Sequence, residues 1–138
     1  MLMQDTTVQV RYAETDQMGI VYHANYFIWF EVGRTEWFRR LNQNYKSLEE
    51  QGVILPVIDV QCQYKKPALY DDKLIIRTHL HELKGVRLIF HYEIIREKDE
   101  ELLARGKTVH AFVDKDKKPV RLKKEFPQLW DVLHSALE

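Results

Sequence analysis

Cysteine is nearly absent from this chain: Cys62 is the one thiol in 138 residues. An intramolecular disulfide is therefore impossible, and so is a zinc site built on several thiolates. A lone thiol fits a reducing compartment, so the expected location is cytoplasmic. Net charge is missing as well, because Lys plus Arg and Asp plus Glu each total 21. A nucleic-acid grip needs a basic face, so no nucleic-acid partner is expected. No apolar run approaches the roughly 20 residues of a membrane span. The start, MLMQDTTVQV, lacks the basic-then-apolar order of a secretory signal. There is no repeat, no low-complexity tract and no convincing linker, and the length suits one domain over 1–138.

What is present is strong patterning. Thr6 to Tyr12 alternate, with Val8, Val10 and Tyr12 on one side, which predicts a first strand. From Asn25 to Leu41 the period becomes helical. Tyr26, Phe27, Trp29, Phe30, Val32, Trp37, Phe38 and Leu41 cover more than one stripe, as in a helix buried on most sides. A shorter helical piece around Leu48 ends near Gly52. Four alternating stretches follow, at 58–64, 74–81, 86–94 and 102–114, each reading as a strand with one apolar face. "LKGV" at Leu83 to Val86 predicts a tight hairpin with Gly85 at positive φ, and "EKDEE" at Glu97 to Glu101 a slightly longer one. A last helix, 123–137, carries Phe126, Leu129, Trp130, Leu133 and Leu137 at helical spacing. Pro127 lies in its first turn, where proline is tolerated.

This order predicts an α+β domain. Four consecutive strands with short turns would form an antiparallel meander. A helix apolar nearly all round needs more cover than a flat sheet gives, so a curved sheet wrapped around it is expected.

Between the first strand and the long helix lies RYAETDQMGIVYHANYF, Arg11 to Phe27. The run YAETDQMGIVYHANYFIWFEVGRTEWFRRL resembles the opening motif of the 4-hydroxybenzoyl-CoA thioesterase family, especially its YbgC-like acyl-CoA thioesterase branch. Tyr12, Thr15, Asp16, Gly19, Val21, Tyr22, His23, Asn25 and Tyr26 fill that pattern. The resemblance implies a hotdog fold, a curved antiparallel five-stranded sheet around a long central helix. It implies hydrolysis of an acyl-CoA to a free acid and CoA, with Asp16 as general base or nucleophile. His23 and Tyr12 join Asp16 as catalytic candidates. The helix entrance at Tyr22 and Ala24, with Gly19 in the loop, is the candidate oxyanion region. Lys84, Arg87 and Lys66 are candidates for the CoA phosphates. Assembly into a homodimer or homotetramer, with sites between subunits, is implied too.

The chemistry is coherent in its own terms. A carboxylate can accept a proton from water or attack a carbonyl directly. Either attack puts negative charge on the carbonyl oxygen, which free N–H groups at a helix N-terminus stabilise. No metal or cofactor is expected, since the thioester carbonyl is already activated. His79, His81 and His91 could meet on the strands, but they lack a supporting set of ligands.

Plainer readings stand beside these. Asp16 alone suits a turn, Tyr12 a core position and Asn25 an N-cap, while Glu14 is expected to be solvated. Glu31 and Glu36 are rivals, because other hotdog thioesterases use a carboxylate from the central helix, but those lack the Thr-Asp loop. The alternative function is a non-catalytic acyl-CoA-binding hotdog module. A hotdog dehydratase would call for a different helix motif.

Overall fold

A computed structural model describes residues 1–137. The chain folds as β1 (Met3–Gln9), a 3₁₀ turn (Tyr12–Glu14), α1 (Asn25–Arg40), α2 (Tyr45–Gln51), β2 (Val57–Tyr64), β3 (Lys73–Lys84), β4 (Arg87–Arg96), β5 (Glu101–Ala111), α3 (Leu122–Glu125) and α4 (Pro127–Leu137). Five antiparallel strands make one curved sheet in the order β1-β3-β4-β5-β2. Both predicted hairpins form. Gly85 takes φ +60° between Lys84 and Arg87, and Arg96 pairs with Glu101 across the second.

The meander is shorter than expected. It runs β3-β4-β5, while β2 lies beyond β5 at the sheet edge. The connection 65–72 therefore spans about 15 Å, three strand spacings. Alternation defines a strand and its faces but not its neighbour, so the sequence pattern could not place β2. The consequence is visible in its burial. Val57, Ile58, Val60 and Tyr64 are 44%, 50%, 38% and 44% exposed, although an apolar face was expected to be covered.

Helix α1 lies on the concave face, chiefly against β1 and β3. Close approach comes from two glycines. A side chain at Gly33 would run into Thr78 Oγ1, and one at Gly106 into the Phe30 ring. Phe30 stacks on Tyr92 at 4.4 Å between centroids, and Trp37 and Phe38 meet Phe90 edge-on. The helix is not enclosed all round, since Phe27 and Ile28 are 37% and 54% exposed. Its other flank carries Arg34, which donates to the Tyr45 hydroxyl at 2.9 Å. Helix α4 buries Leu129, Leu133 and Ala136 and ties back to β1 through the Leu2 N–H on the Ala136 carbonyl.

Candidate active site

The loop between β1 and α1 is built around Asp16. Thr15 and Val21 form an isolated antiparallel bridge, and the Asp16 N–H donates to the Ile20 carbonyl at 2.9 Å. Gly19 sits at φ +80°, where L side chains are strained, and returns its N–H to the Asp16 carbonyl at 3.0 Å. Oδ1 of Asp16 accepts the Met18 N–H at 2.8 Å. One carboxylate oxygen is thus fixed by the turn, and the other has no protein donor among the described residues.

A second set of bonds fixes the start of α1. The Glu14 carbonyl accepts the Tyr22 N–H at 2.8 Å and the Asn25 side-chain amide at 2.9 Å. Asn25 is therefore a brace inside the helix, and Ala24 occupies the N-cap position. The Asn25, Tyr26 and Phe27 N–H groups return to the carbonyls of Tyr22, His23 and Ala24. The backbone N–H groups of His23 and Ala24 meet no acceptor among the described residues. Tyr22 cannot serve as such a donor through its backbone, because Glu14 already takes its N–H.

The crossover from β2 to β3 closes the site. The Ala68 carbonyl accepts the Val21 N–H at 2.9 Å, and the Ala68 N–H reaches the Tyr26 hydroxyl at 3.2 Å. This clamp brings Tyr64, Lys65, Lys66 and Pro67 against the loop. Together with Asp16, Met18, Ile20, Val21, His23 and Tyr26 they line a cavity of about 270 Å³. The Tyr64 hydroxyl donates to the His23 carbonyl at 2.9 Å. Burial, then the neighbouring Cys62 thiol, pushes the Tyr64 phenol up, so it remains a donor. Burial also pushes the Cys62 thiol up, which keeps it from thiolate chemistry. Lys66 pairs with Glu101 at 2.5 Å.

Asp16, His23 and Lys66 thus meet at one cavity, with Gly19 and Ala24 in the segments that shape it. Tyr12 does not join them. The 3₁₀ turn sends its ring outward, 76% exposed and edge-on to Tyr70 at 5.6 Å. Its carbonyl instead accepts the Thr15 N–H and hydroxyl. Lys84 and Arg87 are also apart within one chain. They close the hairpin at the far end of β3, about 35 Å along the strand from Lys73, which abuts the site loop. Glu14 is 7% exposed and accepts the Arg11 N–H at 2.7 Å, so it is a buried brace and not a solvated residue. Glu31 and Glu36 do not border this cavity. Tyr64 is a cavity residue that sequence reasoning overlooked. Its signal was weak, since it reads only as the last apolar position of a strand.

A curved antiparallel sheet holding one long helix, with a carboxylate loop at the helix entrance, defines a hotdog-fold protein of the thioesterase class. The comparisons agree. The family model described as thioesterase-like superfamily matches residues 10–136, and the chain belongs to that family. YneP of Bacillus subtilis is 42% identical over 132 residues, 95% of this chain and 92% of that protein. The acyl-CoA thioesterase YbgC of Haemophilus influenzae is 38% identical over 120 residues, 86% of this chain and 87% of its own. Among solved structures, a DHNA-CoA thioesterase from Staphylococcus aureus superposes with a TM-score of 0.92 at 37% identity, covering 98% of this chain and 91% of that one.

Proposed function

We propose that this chain hydrolyses acyl-CoA thioesters at Asp16. The observation that carries the reading is the meeting, at one cavity, of Asp16, one of whose carboxylate oxygens has no protein donor, and His23, whose N–H at the α1 entrance has no acceptor among the described residues. The thioester carbonyl oxygen would sit against the His23 and Ala24 N–H groups, where the positive end of the helix dipole adds to them. As general base, Asp16 takes a proton from water while the water oxygen bonds to the carbonyl carbon. The C–S bond then breaks, and the proton passes to the departing CoA sulfur. As nucleophile, the Asp16 oxygen bonds to that carbon, CoA leaves, and water cleaves the resulting anhydride. The Tyr64 hydroxyl on the His23 carbonyl, and the Ala68 N–H on the Tyr26 hydroxyl, hold the crossover against the loop and the start of α1.

The assembly we propose is a homodimer, alone or paired into a tetramer, joined through β2. That strand has one ladder neighbour and exposes apolar side chains at an open edge. Antiparallel pairing of β2 with its copy would turn the opposite end of the second sheet toward this site. The Lys84–Arg87 hairpin of that copy, with Lys65 and Lys66 of this chain, would then supply cations for the CoA phosphates. Thiol release from acyl-CoAs of graded chain length, aliphatic and aryl, tests the reading. Turnover is expected with at least one class. Saturable binding without thiol release would replace hydrolysis with a binding role.

A further inference from the structure

On the convex face of the sheet, away from the Asp16 loop, three imidazoles converge. His79 and His91 are direct partners across the β3–β4 ladder. His81 falls where the ladder slips, since Leu80 pairs with Phe90 but Glu82 with Ile89. It is therefore the extra residue of a β-bulge, and bulges re-aim a side chain. In a regular ladder His81 would face Ile89. Here its ring lies 3.9 Å from that of His91 at an interplanar angle of 13°, with the His79 ring 5.6 Å from His91. The candidate ligand nitrogens of the three all lie within 4.8 Å of one another.

We propose that His79, His81 and His91 form a binding site for a divalent transition-metal ion of the zinc class, separate from the thioester site. Zn–N bonds of about 2.0–2.1 Å put tetrahedral ligand nitrogens roughly 3.4 Å apart. No separation has to close by more than roughly 1.4 Å on binding, a displacement within reach of χ1 and χ2 rotation. The stacked pair is not yet a chelate, because imidazole lone pairs lie in the ring planes. One ring has to turn, and His81 is free to do so because it is exposed. Burial, followed by repulsion from the neighbouring imidazoles, lowers His79 and holds His91 down at about 4. Neutral rings of this kind have the lone pairs a metal needs.

The surroundings fit an open site. His79 and His91 border a surface groove of about 670 Å³, so water can complete the coordination. Glu93, two residues along β4, is paired with Arg105 at 3.7 Å. Lys107 stands opposite His91 and opposes a cation, so affinity must come from the imidazole bonds. Three neutral nitrogen donors favour zinc, nickel or copper over magnesium, which prefers oxygen ligands. The bound ion would clip the bulge of β3 to β4.

The test is calorimetric titration of the tag-free full chain, stripped with chelator, with ZnCl₂ and separately with MgCl₂. One Zn²⁺ per chain is expected, with a rise in the melting midpoint, and no comparable binding of Mg²⁺. His81→Ala removes an exposed ligand without opening the core. It should weaken Zn²⁺ at least about tenfold, since loss even of a group that only orients a ligand costs that much. It should also reduce the zinc-dependent rise in melting midpoint at the same zinc concentration, while leaving thiol release at the wild-type rate. Failure of the wild type to bind Zn²⁺ would overturn the proposal. So would equal affinity in His81→Ala, or Mg²⁺ binding as tight as Zn²⁺.

Discussion

Ala24 sits at φ −65° and ψ −23°, and its amide hydrogen meets no acceptor among the described residues. That φ is the one proline imposes, so Ala24→Pro deletes this N–H; proline at the third position of the turn closed by the Asn25 N–H on the Tyr22 carbonyl also strains His23, so stability is measured alongside. If this N–H holds the thioester oxygen, turnover should fall about 10²–10³-fold. An unchanged melting midpoint would separate a lost donor from a lost fold. A rate within a few-fold of wild type would remove Ala24 from the site. At this scale the sequence was informative about kind and less so about direction. The order Thr-Asp, Gly, His marked the loop that structure places at the cavity. It could not reveal that Tyr12 turns out to Tyr70 while Glu14 turns in, because those directions depend on the 3₁₀ turn and on its bond to Arg11. Tyr64 escaped notice because a crossover brings it to Asp16, and local periodicity carries no trace of that meeting.

Helix and sheet meet at Gly33. A methyl there would collide with Thr78 Oγ1 and come within 2.8 Å of Ile76 Cγ2. Both lie on β3 under the helix, so relief would need α1 to lift from the sheet. Overpacking of this kind costs about 1–3 kcal/mol, and alanine's better helix propensity returns at most about 1 kcal/mol. Gly33→Ala should therefore lose up to about 2 kcal/mol in denaturant unfolding. A gain in stability would mean the helix is less closely seated than the structure has it. Elements were the most legible level of the sequence. Their period and turn residues are local, and Gly85 and Gly52 stand at positive φ where a hairpin and a helix end. Strand order is set by non-local pairing, so β2 was given the wrong neighbour.

For the whole molecule, the proposed assembly turns on β2, the strand at the sheet edge beyond β5. An edge strand with Val57, Ile58 and Val60 at 38–50% exposure is the surface proposed above for pairing with a copy. Sedimentation of the wild type is expected to show a dimer or tetramer. Val60→Lys, which places a charge on that edge, should shift it toward monomer. Thiol release should fall in step if a second copy completes the CoA site. A monomeric variant with full turnover would show that one chain suffices.

The central claim is that Asp16 carries the chemistry, and the most direct measurement separates chemistry from binding. Asp16→Asn keeps an oxygen for the Met18 N–H and so keeps the turn. Thiol release by this variant should be compared with its affinity for a non-hydrolysable acyl-CoA thioether, with wild type alongside. The account predicts that turnover drops at least about 10²-fold while thioether affinity stays near that of wild type. Turnover within a few-fold of wild type would contradict it and send the search for the catalytic group elsewhere along the cavity.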